Sequence, residues 1–122
     1  MTTSEIAHDL AALCRQNKNF EAVDKYYSEN VVSIESMGSP EMAVRMEGLA
    51  AIRGKNTGWF AAHELHSQTV NGPFLGENQF VLELTYDVTR KESGLRYRFN
   101  ELGLYTVADG KIVQEQFYYH VG

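Results

Sequence analysis

The sequence is poor in cysteine, in clustered basic charge and in long apolar runs, and each shortage removes a class of function. Of 122 residues one is cysteine, Cys14. That excludes an internal disulfide and any thiolate metal site built within the chain, and it fits a reducing compartment. Lysine and arginine number 11 against 16 aspartates and glutamates, for a formal charge of -5, and no run of like charge exceeds two residues. Clustered Lys and Arg carry non-specific nucleic-acid binding, so no nucleic-acid partner is expected. No stretch approaches the ~20 consecutive apolar residues of a membrane helix, and no membrane partner is expected either. The start, Met1-Thr-Thr-Ser-Glu-Ile, lacks the basic opening and apolar run of a secretory signal, so the reading is cytoplasmic. A nucleophile elbow and a Gly-rich phosphate loop after a strand are also missing. Repeats, linkers and low-complexity segments are absent.

What is present is an ordinary globular composition, 43% hydrophobic and 22% charged, which predicts one domain over residues 1–122. The chain divides near residue 65 into a helical half and a strand half. Ile6, Leu10, Leu13 and Cys14 repeat at helical spacing behind Thr2 and Glu5, which are spaced as a capping box, ending near Asn17. Phe20, Val23 and Tyr27 continue the period in a second helix. Val31-Val-Ser-Ile-Glu35 alternates as a short strand, ended by Gly38-Ser-Pro40. A third helix starts near Gly48, with Leu49, Ile52, Asn56, Trp59, Phe60 and His63 on one stripe.

Of the 14 aromatic residues, 9 lie beyond Leu65, where β-propensity places them. Turn signals at Asn71-Gly-Pro, Gly76-Glu-Asn, Glu92-Ser-Gly and Ala108-Asp-Gly110 divide this half into hairpin-linked strands of an antiparallel sheet. On one strand Tyr97, Phe99, Glu101, Gly103, Tyr105 and Val107 share a face; on the next Val113, Glu115, Phe117, Tyr119 and Val121 do. The helices must cover that aromatic face. The fold class is therefore α+β, a curved antiparallel sheet under three N-terminal helices.

Carboxylates on this face carry the functional signal. Glu101 and Glu115 stand among aromatics, and Glu35 ends the early strand. Burial and mutual repulsion raise such pKa values, which suits a general base or a protonated hydrogen-bond donor. The competing reading is that each acid is satisfied by a tyrosine hydroxyl, an arginine or the domain edge. His63-Glu-Leu-His66 has one residue too few between Glu and the second His for a zincin helix, and no metal is expected. His63 shares the stripe of Asn56 and Trp59 and so borders the enclosed space; a capping or solvated histidine is the other role open to it. Cys14, on the apolar stripe of helix one, reads as a buried structural thiol.

The order of elements, the segment Tyr27-Ser-Glu-Asn-Val-Val-Ser-Ile-Glu-Ser-Met-Gly38 and the ending Tyr105-Thr-Val-Ala-Asp-Gly-Lys-Ile-Val113 resemble the nuclear transport factor 2-like superfamily, closest to its SnoaL-like, ketosteroid isomerase-like branch. The resemblance implies a cone-shaped, cystatin-like α+β barrel, usually a homodimer, with an interior pocket for a small, mostly apolar molecule. Members include isomerases, polyketide cyclases, epoxide hydrolases and dehydratases, so fold does not fix reaction. In the isomerases the general base lies three residues before a glycine on the early strand, which lands on Glu35, and Tyr27 matches a pocket tyrosine. Their two oxyanion donors fall at Ala11 and Gly103, and without them roughly 3 to 4 kcal/mol of stabilisation per donor is lost. The cyclase acid falls at Phe117, and a position often histidine in those proteins is Glu115.

The expected pocket holds Tyr27, Trp59, His63, Tyr97, Phe99, Glu101, Tyr105, Phe117 and Tyr119, with Glu35 as general base and Glu115 as proton donor, aided by Tyr119 or Tyr105. Its three acids have no evident basic partner. Three functions fit: cofactor-free proton transfer or hydration on a small aromatic or polycyclic carbonyl compound, ligand binding without turnover, and an interaction module. On the sheet's other face Leu102, Leu104 and Tyr118 would be exposed in a monomer, which predicts a sheet-to-sheet homodimer.

Overall fold

The computed structural model describes residues 1–38 and 42–120; Ser39, Pro40 and Val121, read above as a strand end and part of a strand face, lie outside the described residues. Its elements run α1 (Thr3–Arg15), α2 (Asn19–Tyr26), β1 (Tyr27–Ile34), β2 (Arg45–Glu47), α3 (Leu49–Ala62), β3 (His63–Leu75), β4 (Gln79–Arg90), β5 (Arg96–Ala108) and β6 (Lys111–Tyr118). Among the described residues no helix is long and apolar enough to cross a membrane.

Helix α1 begins where its first free N–H groups find acceptors. Thr2 Oγ1 accepts from the Glu5 amide at 3.1 Å while the Glu5 carboxylate accepts from the Thr2 amide at 3.0 Å, a complete capping box. Its apolar stripe, Ile6, Leu10 and Cys14 with Ala7 and Ala11, is buried against the sheet. At the other end Arg15 donates to the carbonyls of Val70 and Gly72, pinning the helix to β3.

The six strands form one curved, unclosed sheet in the order β2-β1-β6-β5-β4-β3. Four details depart from the sequence reading. The sheet is mixed, because β1 runs parallel to β6 while every other pair is antiparallel. β2, three residues long, is too short to leave a period. Tyr27 opens β1 instead of closing α2. And Asn71-Gly-Pro is no turn: β3 passes through it with a register shift between Asn71 and Phe74. Pro73 has no N–H to give, and an edge strand with a bulge is where a sheet tolerates that.

The remaining turns fall as read. Asp109 and Gly110 join β5 to β6 with φ of 52° and 74°, the paired left-handed conformation of a two-residue hairpin. A register shift between Thr106 and Val107 follows on this ladder, pairing Val107 with Ile112 and Thr106 with Gln114. Val113 is the extra residue, so Ile112 is the fully buried side chain at the start of β6, and the inward alternation resumes at Glu115. Along β5 the odd positions face the helices throughout, as the aromatic pattern required.

Candidate acid cavity

Between the concave face and the helices lies a cavity of about 630 Å³, within the size range of small-molecule sites. Leu10 and Cys14 of α1, Ala22 and Val23 of α2, and Lys55, Asn56, Trp59 and Phe60 of α3 form its roof; β4, β5 and β6 form its floor. The expected residues Tyr27, Glu35, Trp59, Tyr97, Phe99, Glu101, Tyr105, Glu115, Phe117 and Tyr119 all line it. His63 does not. Its ring stacks on Trp59 at 4.3 Å, with Nδ1 2.8 Å from the Trp59 carbonyl oxygen and Nε2 3.1 Å from the Tyr97 hydroxyl. The carbonyl can only accept, so Nδ1 donates to it, while Nε2 shares a hydrogen bond with the Tyr97 hydroxyl. The histidine holds two wall residues from behind.

One wall is an ionic cluster that sequence reasoning missed. Lys55 projects from α3 between two buried carboxylates. Its ammonium donates to Glu35 Oε1 at 2.9 Å, to Glu115 Oε2 at 2.9 Å and to Ser33 Oγ at 2.8 Å, and lies 5.0 Å from the centre of the Phe117 ring. Burial penalises this cation, but the charges of Glu115 and Glu35 outweigh it and raise the Lys55 pKa. Lys55 is thus a fixed ammonium with all three N–H groups spent, and cannot act as an amine nucleophile.

The same count applies to the acids. Glu115, 2% exposed, accepts from the Tyr27 hydroxyl at one oxygen, and from Ser33 (2.6 Å) and Lys55 at the other. Burial and then the Glu115 charge push the Tyr27 phenol well up, so it remains a donor. Both Glu115 oxygens are engaged as acceptors, so it holds the cluster together and is not the free carboxyl that its expected role as proton donor calls for. Glu35 accepts from Lys55 at Oε1 and from the Tyr119 hydroxyl at Oε2, 3.1 Å. Burial, followed by the Glu35 charge, pushes the Tyr119 phenol to about 12. The expectation of acids without a basic partner is overturned for two of the three.

Glu101 is different. It follows Tyr97 and Phe99 on the same face of β5, and its carboxyl has no hydrogen-bond partner among the described residues. The register sets Tyr105, not Glu101, opposite Glu115, so Glu101 lies farther along the sheet, away from Lys55's direct reach. Burial first, then the charges of Glu35 and Glu115, lift its pKa to about 8 against the counteracting pull of Lys55. At neutral pH Glu101 is a carboxylic acid.

The rest of the wall is aromatic. Trp59 meets Tyr86 at 5.5 Å and Phe99 at 6.0 Å between ring centres; Tyr86 stacks on Phe99 at 5.0 Å, and Tyr97 lies 5.9 Å from Phe99. Asn19 gives its amide to Cys14 Sγ and leaves Oδ1 buried and unpaired on the cavity wall. Burial, followed by the Glu115 charge, pushes the Cys14 thiol to about 12, so it is inert at neutral pH.

A family model for a SnoaL-like domain matches residues 1–119. Among solved structures, a provisionally named SnoaL-like polyketide cyclase (carbohydrate phosphatase) from Mesorhizobium loti is 41% identical over 98% of this chain and 100% of that chain, with a TM-score of 0.92. A provisionally named isomerase from Bacillus subtilis is 22% identical over 96% of this chain and 85% of that one, TM-score 0.77. A protein of ketosteroid isomerase-like fold from Catenulispora acidiphila, solved in complex with trimethylamine, is 19% identical over 99% and 88%, TM-score 0.75. The last two show the fold alone. No curated protein matches the chain.

Proposed function

The chain belongs to the SnoaL-like domain family, and from that premise we propose a cofactor-independent enzyme that moves a proton on a small, largely apolar carbonyl compound, with Glu101 as proton donor and Glu35 as base. The observation that carries this reading is Glu101, a carboxyl on an aromatic wall, without a partner among the described residues and protonated at neutrality. Glu35, ion-paired to Lys55, is the carboxylate of the same cavity that keeps free lone pairs, Glu115 being held by three donors. Two carboxyls in opposite protonation states are an acid and base pair.

In this mechanism the carbonyl oxygen accepts a hydrogen bond from Glu101 while Glu35 removes a proton from the adjacent carbon through a lone pair that Lys55 and Tyr119 leave free. Charge moving onto the oxygen strengthens the Glu101 bond, and a donor so placed contributes roughly 3 to 4 kcal/mol to the transition state. The Tyr105 hydroxyl, kept protonated by burial and the neighbouring Cys14 and Glu115, is a second donor on the wall. Glu115 and Lys55 position Glu35.

The test uses hydrogen–deuterium exchange at the carbon next to the carbonyl, followed by NMR for a panel of aromatic and polycyclic ketones, since it reads proton transfer without a known product. Glu101→Gln is expected to lower the exchange kcat at least a hundredfold with little change in KM. Full exchange in Glu101→Gln would remove Glu101 from the chemistry, and full exchange in Glu35→Gln would remove Glu35.

A second reading, binding without turnover, draws support from the Catenulispora acidiphila neighbour, which holds trimethylamine. Saturable binding of panel compounds with no exchange in the parent protein would favour it. We also propose a homodimer through the outer sheet face, where Leu102 and Tyr118 are paired in register, 43% and 49% exposed, beside Leu104.

A further inference from the structure

On the described walls of the cavity the acids, Glu35, Glu101 and Glu115, outnumber the cations Lys55 and Arg90. Glu35 and Glu115 share a single ammonium, Lys55, so the cluster is left with an excess negative charge before Glu101 is counted. Arg90, the other cation on the lining, is an exposed residue at the end of β4 that leans 3.7 Å toward Glu92. Asn19 Oδ1 adds an unpaired acceptor. Next to Glu101 on its own face, Phe99 joins Trp59, Tyr86 and Tyr97 in one continuous group of rings whose centres lie 5.0 to 6.0 Å apart. Aromatic faces bind a cation within about 6 Å of the ring centre, more strongly where water is excluded.

We propose that this wall is a binding site for organic ammonium ions, with the cation lying on Trp59, Tyr86 and Phe99 and pairing with the carboxylate of Glu101. The inference rests on the cavity being a ligand site, which both readings above share, and does not require turnover. A neutral isostere finds the same apolar area but leaves Glu101 without a counter-ion.

Binding is coupled to a proton. The carboxyl of Glu101 is largely protonated at pH 7 and ionises near 8, so an ammonium ion that pairs with it releases that proton. If only the ionised form pairs, apparent affinity follows the ionised fraction and rises roughly fiftyfold between pH 6 and pH 8. The described charged or titratable groups around the same space are Cys14 of α1, Tyr27 of β1, Glu35 beyond β1, Lys55 of α3, Tyr86 and Arg90 of β4, Tyr97 and Tyr105 of β5, Glu115 of β6, and Tyr119 and His120 beyond it. A substitution at Glu101 alone separates its titration from theirs.

The experiment compares 2-phenylethylammonium with 2-phenylethanol on the whole chain, read by the fluorescence of Trp59, the single tryptophan. The amine is expected to bind with the fiftyfold rise, the alcohol with no pH dependence. Calorimetry near pH 7 in buffers of different ionisation enthalpy is expected to show release of close to one proton per amine bound. Glu101→Gln is expected to abolish both the rise and the proton release, with circular dichroism confirming that it folds. The inference falls if the alcohol binds as tightly as the amine at pH 8, if no proton is released, or if the pH dependence survives in Glu101→Gln. Loss of carbonyl exchange in Glu101→Gln alongside failure of the amine to bind would overturn the ammonium site and leave the proton-transfer reading standing.

Discussion

Lys55 decides the state of three other side chains. Its ammonium satisfies two buried carboxylates and orients the Ser33 hydroxyl, so removing it strands charge among buried side chains. Breaking a buried ion pair from one side costs about 3 to 5 kcal/mol. Lys55→Met is therefore expected to lower unfolding free energy by about that amount at pH 7 in urea titration, and to recover part of it at pH 4, where the stranded acids take up protons. The residue was hidden in the sequence for a physical reason. It lies three positions after Ile52 and four before Trp59, on the apolar stripe itself, yet a lysine in a stripe reads as a stem reaching for solvent. The signal was present, inward carboxylates without a basic partner and a cation on the apolar stripe of the covering helix, but a sequence does not tell which helical face meets which strand. Glu101, by contrast, was legible from strand alternation alone.

Gly103 shows how an element shapes the site. It stands between Glu101 and Tyr105 on the inward face of β5, where a Cβ would lie 2.9 Å from the Tyr105 ring, 3.0 Å from its hydroxyl and 3.1 Å from Phe117. The missing side chain lets the Tyr105 ring lie along its own strand and stack on Phe80 at 4.9 Å. Gly103→Ala forces both rings to shift, with an expected loss of about 1 to 3 kcal/mol in thermal or urea unfolding and weaker ligand binding without a change in the Glu101 titration. Elements of this kind were readable where one strong local signal sets them: the capping box of α1, the Asp109-Gly110 hairpin, the alternation of β5. Those set by pairing partners were not. The parallel β1 and β6 pair, the three-residue β2 and the bulge at Val113 depend on residues far away in sequence, and the Asn71-Gly-Pro signal was overridden by the edge of a long strand.

At the scale of the whole molecule, two outcomes follow. Glu101 ionises near 8 in the fold against 4.5 for an unperturbed glutamate, so the native state keeps a proton that the unfolded chain gives up. Its contribution is full below pH 4.5 and is lost as pH rises through 8. At about 1.4 kcal/mol per pKa unit, the parent is expected to lose at most roughly 5 kcal/mol relative to Glu101→Gln between pH 4.5 and pH 9, measured by urea unfolding across that range. The proposed dimer is tested by sedimentation velocity: Tyr118→Glu is expected to give a monomer with its fold retained, and an unchanged sedimentation coefficient would move the contact elsewhere.

The ionic cluster also has a place in time. Glu115 meets partners that lie 88, 82 and 60 residues upstream, at Tyr27, Ser33 and Lys55. The hairpins from β3 to β6 close over short loops and can form first, whereas the β1 and β6 pair must bring together distant parts of the chain. The cluster is therefore a late product of folding, and a nascent chain has no acid cavity until β6 emerges to receive strand and helix already made. The ionic cluster is withheld from every partly folded form.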